Sequence, residues 1–439
     1  MSRIWKVFGS LIALGMILSA CAPTAAPTPT PTTVAVPPTT PVPTAAPTPT
    51  PTTPTAVKVR FAFWGGKEEK AAYEKMIAAF NEAQTEVEVV PLHIPEQYEE
   101  KILTMIGAGD IPDIIAIGGA HIPAFAARGA LQDLSSFADR IKEDIYYPRA
   151  IEAMKYRGKL WALPFRINTK VMAVNLDLLK EAGIEPPTAN KPWTPEQYLE
   201  AAKKLTVPGR RWGSAQLWFY QWIHQFGGRV LDEEGKTCML DRPEVLEAAQ
   251  YIYDFRWVHQ AAPALDEPGK GAIDLFMAGE AAMMTDVGPY FMPLLTQITK
   301  FKWALAPQPG KPGYEGSGEM EVVGLAIPAK AKNPEASFKA LVFLTSDPRS
   351  QDILALTKTQ IPGLKQSGEL FAKQFPGAEL FIQALDVQVP QFKAANSREI
   401  QRIIGQRIID ALFLSKPSAK PSADLFKAVC EEIQPYLEK

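Results

Sequence analysis

The sequence predicts an α/β fold for residues 57–439, and three observations support this prediction. Apolar residues alternate with other residues at Val59, Phe61 and Phe63, as in a strand. Strand-like and helix-like segments then alternate as far as residue 117, which is typical of a parallel sheet flanked by helices. Finally, 46% of the 439 residues are hydrophobic, which is enough for the cores of two or three domains.

The first predicted elements place two segments at one edge of this sheet. The elements are a strand at 59–63, a helix at 73–80, a strand at 86–92, a helix at 96–106 and a strand at 113–117. Gly65 and Gly66 end the first strand. Because ligands bind at the carboxyl ends of parallel strands, we expect Trp64 and residues 117–120 at the ligand-facing rim.

The remaining elements alternate in the same way, and no internal repeat is found. Thr194 and Gln197 predict a capping box, with Pro195 at the first helical position. Residues 233–236 predict a hairpin turn. The other predicted segments are a strand-rich passage at 160–175, helices at 243–258, 271–278 and 334–344, a strand at 322–327, and two helices from 397 onward separated near 416–417.

The amino terminus predicts export and lipid attachment. Arg3 and Lys6 precede an apolar run over residues 7–20, which is shorter than the ~20 residues of a spanning helix. The run ends in Leu-Ser-Ala-Cys at residues 18–21, which resembles the bacterial lipobox. We therefore expect residues 1–20 to be a lipoprotein signal peptide and Cys21 to carry diacylglycerol. An ordinary secretory signal with a chance cysteine is the alternative.

The segment after Cys21 predicts an extended tether. Residues 22–56 contain 12 Pro and 13 Thr and no charged residue. Proline lacks the N–H donor and no apolar face recurs, so residues 21–56 are expected to form a spacer resembling polyproline II. Such a spacer separates a folded receptor from its lipid anchor; bare and O-glycosylated forms are both compatible with its composition.

Composition and motifs exclude several classes of function. The 46 Lys and Arg nearly balance the 48 Asp and Glu, which argues against a nucleic-acid partner. No P-loop, G-x-G-x-x-G or G-x-S-x-G motif occurs, and the four histidines are scattered. We therefore expect no cofactor, no metal and no catalytic residue. Cys238 and Cys430 form either two buried thiols, which we favour, or one disulfide.

Short motifs recur in a fixed order along nearly all of residues 57–439. They are Phe-Trp-Gly-Gly at 63–66, Gly-Asp-Ile-Pro-Asp-Ile-Ile at 109–115, Gly-Ala-Leu-Gln-Asp-Leu at 129–134, Tyr-Arg-Gly-Lys-Leu-Trp-Ala-Leu-Pro at 156–164, Asn-Leu-Asp-Leu-Leu-Lys-Glu-Ala-Gly at 175–183, Phe-Met-Ala-Gly-Glu-Ala-Ala-Met-Met at 276–284, Gly-Pro-Tyr at 288–290, Val-Gly-Leu-Ala-Ile-Pro at 323–328 and Asn-Pro-Glu-Ala at 333–336. In this order they resemble the extracellular solute-binding proteins of ABC importers, the group that includes maltose-binding protein. The resemblance implies a two-lobed periplasmic-binding-protein-like fold with hinge crossovers and a central ligand cleft.

The resemblance also implies lobe boundaries and a binding mechanism. Lobe I is expected at 57–166 and 325–345, and lobe II at 170–320 and 346–439. Ligand contacts both lobes only when they close, so binding shifts the population toward the closed state.

The resemblance also implies candidate ligand-binding residues, which lie in these motifs or at positions between them that correspond to the cleft of the family. Family members of this type mostly bind sugars, stacking aromatic rings on the sugar and hydrogen-bonding its hydroxyls. The candidates are Trp64, Gly65, Gly119, Asn168, Trp218, Tyr220, Asp286, Tyr290 and Arg398, with Arg166 as a further polar group. Core packing is the alternative for each aromatic residue, and a solvated surface position is the alternative for each charged one. Residues 117–120, Ile-Gly-Gly-Ala, differ from the charged and aromatic groups of maltose-binding protein, which argues against maltose itself.

Three functional hypotheses remain at this stage. The leading one is a monomeric receptor that is lipid-anchored on the extracytoplasmic face of the cell membrane. It would bind a carbohydrate, most simply an oligosaccharide, and deliver it to the transmembrane subunits of an ABC permease. The second is a receptor for another polar metabolite such as glycerol phosphate. The third is a secreted glycoside hydrolase with two cleft carboxylates.

Overall fold

A computed structural model describes residues 56–267 and 269–438 of the chain. The expected signal peptide at 1–20, the lipidation site Cys21 and the tether as far as residue 55 lie outside the described residues. None of the described helices is both long enough and apolar enough to cross a membrane.

The strands of the described residues fall into two main sheets and one short hairpin. In chain order they are β1 (Val57–Phe63), β2 (Val87–His93), β3 (Ile114–Gly118), β4 (Lys155–Tyr156), β5 (Lys159–Leu160), β6 (Leu163–Asn168), β7 (Val171–Asn175), β8 (Trp212–Ser214), β9 (Ala281–Val287), β10 (Trp303–Ala306), β11 (Glu319–Ala326), β12 (Ile361–Pro362) and β13 (Val389–Pro390).

Helices flank both sheets. In chain order they are α1 (Lys67–Ala83), α2 (Tyr98–Ala108), α3 (Ile122–Ala127), α4 (Pro148–Ala153), α5 (Leu176–Glu181), α6 (Pro195–Leu205), α7 (Phe219–Gln225), α8 (Pro243–Trp257), α9 (Ala272–Ala278), α10 (Met292–Leu295), α11 (Pro334–Ser346), α12 (Pro348–Leu356), α13 (Lys365–Phe371), α14 (Ala378–Gln383), α15 (Ser397–Ile404), α16 (Asp410–Phe413) and α17 (Ala423–Ile433).

The first sheet has the order β12-β6-β11-β3-β1-β2, and β13 pairs with β11. Strands β2, β1 and β3 are parallel, as their alternation with helices predicts. Strand β11 joins this sheet antiparallel to β3, and β6 then pairs antiparallel with β11. The sheet is therefore mixed, because a distant part of the chain inserts a strand that the local pattern of residues 57–118 cannot predict. Val59, Phe61 and Phe63 of β1 are fully buried in its core.

The second sheet has the order β10-β7-β9-β8. Some of its residues, such as Ala173, Met284 and Leu305, share the core of the first sheet, and the others lie in a separate apolar core. Helices α6, α7, α8, α15 and α17 contribute buried residues to this core. The capping box at the start of α6 is present as predicted, with the Thr194 hydroxyl accepting from the Gln197 amide and the Gln197 side chain accepting from the Thr194 amide.

The chain crosses between the sheets at three places: between β6 and β7, between β10 and β11, and after β13. The fully buried Gln388 side chain, just before β13, joins the first two of these crossovers. Its Oε1 accepts from the Lys170 amide at 2.9 Å, and its Nε2 donates to the carbonyls of Lys170 and Gly316 at 2.6 and 3.1 Å. These bonds hold the crossing segments side by side.

The expectation that residues 346–439 all belong to lobe II differs from the structure; the parts of the chain built on the first and the second sheet are called here the first unit and the second unit. Helix α12 packs against α1 and α13, and β12 pairs with β6, so these elements extend the first unit. Phe371 of α13 and Phe381 of α14 are buried in an apolar cluster to which both sheets contribute. The chain already reaches the second sheet before α14, because a side chain at Gly377 would meet Leu305 of β10 at 3.0 Å. Contacts between segments that are distant in sequence decide this. Helix α12 packs against α1, and β12 pairs with β6.

The expectation that Cys238 and Cys430 are free thiols is wrong, because they form a disulfide. The hairpin that contains Cys238 turns at residues 233–236, as predicted, and Leu231 pairs with Cys238 across it. This hairpin packs in the same core as α17, which carries Cys430, and the two Cα atoms lie 5.5 Å apart. A separation of 192 residues conceals that proximity in the sequence.

Candidate functional site

A cavity of about 350 Å³ lies where the crossovers meet the ends of strands from both sheets. The amino-terminal end of β11 forms one wall, and the carboxyl end of β9 and the start of α7 form another. The residues that line it are Lys170, Gln216, Trp218, Gln221, Asp286, Tyr290, Phe291, Glu319, Met320, Glu321 and Gln391. Three of the predicted site residues, Trp218, Asp286 and Tyr290, are thus brought together.

Two aromatic rings of the cavity remain open to solvent. Trp218 is 37% exposed and precedes α7, while Tyr290 is 40% exposed and lies in a short turn after β9. Lys170 Nζ lies 4.6 Å from the centroid of the Tyr290 ring and 3.2 Å from its hydroxyl. A Cβ at Gly288 would collide with the Tyr290 ring, so glycine is required there. Exposed rings held beside polar groups are suited to stacking on a ligand.

Asp286 is buried at the end of β9 with φ of 63°, a left-handed conformation that aspartate tolerates better than most residues. Its carboxylate accepts from Gln308 Nε2 and Thr285 Oγ1, both at 3.1 Å. Burial raises the pKa of Asp286 to about 6, although these hydrogen bonds and the charge of Lys170 oppose the increase. The carboxyl group therefore changes charge just below neutral pH.

Two further carboxylates, Glu319 and Glu321, stand at alternate positions on β11. Asn168 Nδ2 donates to Glu321 Oε2 at 3.0 Å. Burial alone raises the pKa of Glu321, but the charges of Arg166 and Lys170 and the hydrogen bond from Asn168 hold it below its ordinary value. Glu321 is therefore ionised at neutral pH.

Trp64 lies at the end of β1 and packs against neighbours from the first unit. Its ring centroid is 4.8 Å from that of Tyr98, and the Arg166 guanidinium lies 5.2 Å from it. Trp64 is half-buried and does not line the cavity directly. Arg166 connects Trp64 with the cavity, because its guanidinium lies over the Trp64 ring while its charge acts on Glu321, which lines the cavity.

The segment that carries Trp64 is fixed by a chain of hydrogen bonds. Arg166 Nη1 donates to Gln360 Oε1 at 3.1 Å, Gln360 Nε2 donates to Glu69 Oε1 at 2.9 Å, and Glu69 Oε2 accepts from the Gly66 amide at 2.9 Å. Gly65 has φ of 141°, and Glu69 fills the space of a Cβ at this residue. Arg166 is thus buried and not a surface charge.

Asn168 is only 2% exposed and sits behind Glu321. Its Oδ1 has no hydrogen-bond partner among the described residues. The predicted residues Gly119 and Tyr220 are also buried and do not line the cavity. Ala153 and Met154 fill the space where a Gly119 side chain would lie. Burial raises the pKa of Tyr220, whose ring packs 6.1 Å from that of Trp218.

Arg398, the remaining predicted residue, lies outside the cavity lining at the start of α15. Its Nη1 is 2.8 Å from Glu100 Oε1 on α2, and both side chains are exposed. Ser397 Oγ lies 3.4 Å from the Ala120 carbonyl. These contacts join the carboxyl-terminal helices to the first unit at the rim.

Sequence reasoning missed Lys170, Glu319 and Glu321. The predicted strand at 322–327 started too late, whereas β11 begins at Glu319. The alternation of Glu319 and Glu321 with apolar residues was the available signal, because alternate residues of a strand face the same side.

A larger cavity of about 730 Å³ lies between α1, α10 and α12. Its lining is mainly aliphatic, and its charged groups, Glu68, Lys75 and Lys358, are on the outer surface. The smaller cavity is the candidate site because buried carboxylates and exposed aromatic rings meet there at strand ends.

Comparisons with known proteins agree with this geometry. The profile of the bacterial extracellular solute-binding protein family matches residues 64–349. The chain is 28% identical over 295 residues to the maltotriose-binding protein of Pyrococcus abyssi, covering 64% of this chain and 61% of that protein. The match therefore spans less than two thirds of this relative's length.

Solved structures share the fold. The ABC substrate-binding protein Lmo0181 from Listeria monocytogenes, in complex with cycloalternan, has a TM-score of 0.76 and 23% identity, covering 87% of this chain and 98% of that chain. UgpB from Mycobacterium tuberculosis, in complex with glycerophosphocholine, has a TM-score of 0.72 and 18% identity, covering 88% and 98%. The family profile spans more than half of the chain, and the sheets and crossovers match the two-lobed periplasmic-binding-protein fold. This chain therefore belongs to the bacterial extracellular solute-binding protein family.

Proposed function

We propose that this protein is a receptor that binds a carbohydrate in the 350 Å³ cavity and delivers it to the transmembrane subunits of an ABC importer. The observation that carries the proposal is the pairing of exposed aromatic rings, Trp218 and Tyr290, with carboxylates in one cavity. A sugar has apolar C–H faces, which stack on aromatic rings, and hydroxyl groups, which donate to carboxylates. The maltotriose-binding relative supports this assignment.

The two sheets and their helices would act as lobes that close on the ligand. We assign residues 57–168 and 319–371 to lobe I, and residues 171–306 and 391–438 to lobe II, following the strand order and the packing of α12 and α13. The cavity takes residues from both lobes and from the crossover at Lys170. A ligand that contacts both lobes stabilises the closed state by its differential affinity for that state.

A screen by thermal shift over a sugar library tests the receptor function. A ligand that binds only the native state raises the melting temperature. At a ligand concentration 100 times Kd, it adds about 2.7 kcal/mol to the free energy of unfolding. We expect at least one neutral oligosaccharide to shift the transition and to be recovered chemically unchanged. Cleavage of the sugar would instead support a glycoside hydrolase, and the absence of any shift would reject a sugar receptor.

Membrane attachment of the receptor is proposed through a lipid on Cys21. The apolar run followed by Leu18-Ser19-Ala20-Cys21 supports this part of the proposal. Cys21→Ser should release the protein, as a monomer, into the extracytoplasmic soluble fraction. The unsubstituted protein is the control, because its other two cysteines, Cys238 and Cys430, are joined in the disulfide and offer no second site for the lipid. A Cys21→Ser variant that stays bound to the membrane in its mature form would contradict the anchor.

A further inference from the structure

The cavity carries more negative charge than positive charge. Asp286, Glu319 and Glu321 line it, and Lys170 is the one lining residue that is a lysine or arginine. The buried Arg166 balances part of the charge of Glu321 from behind, but it is not in the lining. Any ligand therefore meets a surface that is negative overall.

One carboxylate of the cavity, that of Glu319, accepts no hydrogen bond from the described residues. The residue is only 7% exposed, yet no described residue donates a hydrogen bond to its carboxylate. Its backbone is fixed on both sides by Gln221, whose side chain accepts from the Glu319 amide at 2.8 Å and donates to the Glu319 carbonyl at 3.0 Å. His224 Nε2 is 3.7 Å from one carboxylate oxygen, beyond hydrogen-bond range.

A buried carboxylate without donors is costly, so its position requires donors from elsewhere. Asp286 has its two oxygens occupied by Thr285 and Gln308, and Glu321 has one oxygen occupied by Asn168. The carboxylate of Glu319 is thus the lining acid that the described residues leave for a ligand.

We propose that Glu319 accepts hydrogen bonds from hydroxyl or protonated amino groups of the ligand, and that the cavity rejects anionic solutes. This inference rests on the proposed receptor function and adds the charge class of the solute. A phosphate or carboxylate offers only acceptors, so it would face Glu319 and Glu321 without a donor and with like-charge repulsion. A neutral or amino sugar offers donors at nearly every carbon.

The test compares sugars that differ only at C6, which is a neutral hydroxymethyl group in one and a carboxylate in the other. Each neutral oligosaccharide that binds in the screen is measured by calorimetry beside its C6-oxidised uronate, with glycerol 3-phosphate as a separate anionic probe. We expect the uronate to bind at least about tenfold more weakly than its neutral parent. Glycerol 3-phosphate should show no saturable binding.

Variants then assign this selectivity to Glu319. Glu319→Gln keeps the size of the side chain and removes its charge, so the neutral-to-uronate affinity ratio should fall by about fivefold or more. Glu379→Gln, an exposed glutamate on α14, is the matched control and should leave the ratio unchanged. Circular dichroism and the melting temperature without ligand check that both variants fold.

The results that would reject the charge selectivity differ from those that would reject the receptor function. Equal affinity for a sugar and its uronate, saturable binding of glycerol 3-phosphate, or an unchanged ratio in Glu319→Gln overturns the charge selectivity while sugar binding stands. Absence of binding by all sugars, neutral and charged, overturns the receptor function and this inference with it.

Discussion

At the scale of single residues, exposure separates side chains that hold the fold from those that can meet a ligand. Trp222 is fully buried and packs within the second core, whereas Trp218, four residues earlier, is 37% exposed at the cavity. Both belong to one aromatic-rich segment, so residue type alone does not distinguish their roles. The packing of α7 against α8 turns one ring inward and leaves the other at the cavity wall.

Tyr290 and Tyr314 allow a matched test of an exposed ring. They are 40% and 45% exposed, but only Tyr290 lines the cavity. Tyr290→Ala should weaken sugar binding by about tenfold or more, because stacking that buries such a ring contributes on the order of 2 kcal/mol. Calorimetry measures the affinity, and urea unfolding without ligand should change by less than about 1 kcal/mol. Tyr314→Ala should leave affinity unchanged; an equal loss in both variants would contradict stacking at Tyr290.

Asp286 predicts a pH dependence of stability. Its pKa rises from an ordinary value of 3.8 to about 6 in the native state. The native state therefore binds the proton more tightly, so the stability from this group is fully present below about pH 4 and is lost as pH rises through 6. The contribution of Asp286 to the free energy of unfolding therefore changes by at most about 3 kcal/mol between low and high pH, since one pKa unit corresponds to about 1.4 kcal/mol.

Comparison with Asp286→Asn isolates this effect, because asparagine tolerates the same left-handed backbone. We expect the stability of the native protein relative to Asp286→Asn to be greater at pH 4 than at pH 7, measured by urea unfolding. Asp139→Asn, at an exposed aspartate, supplies the baseline. A difference that is constant between pH 4 and 7 would show that Asp286 titrates normally.

At the scale of elements, the disulfide ties the hairpin at residues 231–238 to helix α17. Helix α17 follows a long segment that contains α15 and α16, and it packs against α15 in the second core. The crosslink closes a loop of 192 residues, so it restricts the unfolded chain strongly.

Replacement of both Cys238 and Cys430 by alanine should lower the free energy of unfolding by about 2–5 kcal/mol. Urea unfolding measures the loss, and the native protein treated with a reductant should show a similar decrease. Neither cysteine lines the cavity, so sugar affinity should remain unchanged. If the reductant leaves the urea midpoint of the native protein unchanged, the bond does not contribute as expected.

At the scale of the whole molecule, the crossovers determine how the lobes can move. Gln388 holds the segments at Lys170 and Gly316 beside β13 through three hydrogen bonds. Arg398 and Glu100 also join α15 to α2, by an exposed ion pair that salt screens. The buried contact at the crossovers is therefore the stronger constraint.

Gln388→Ala should lower the free energy of unfolding by about 2–3 kcal/mol, because it leaves buried backbone groups unpaired. It should also increase the radius of gyration without ligand in small-angle X-ray scattering, since the crossing segments separate more easily. Gln383→Ala, an exposed glutamine on α14, is the control. If Gln388→Ala loses stability but has the same radius of gyration as the native protein, with and without ligand, then Gln388 stabilises the fold without limiting the separation of the crossing segments.

Much of the local structure could be predicted from the sequence because its causes lie within a few residues. The apolar spacing of residues 73–80 is sufficient for α1, and Thr194 with Gln197 is sufficient for the start of α6. The order of short motifs also predicted the family and the two-lobed fold, both of which the comparisons confirm. Trp218, Asp286 and Tyr290 were predicted as site residues from that same order, and their role in binding stays a prediction.

Only the tertiary structure decided what depends on segments that are distant in sequence. Strand β11 joins β3 to β6, residues 348–371 pack on the first unit, and Cys430 reaches Cys238 across 192 residues. The same long-range packing buries Arg166 behind Trp64 and brings Glu319 to Lys170 and Tyr290 in one cavity. Periodicity and capping report only the neighbours of a residue along the chain, whereas the cavity and its charge are made by neighbours in space.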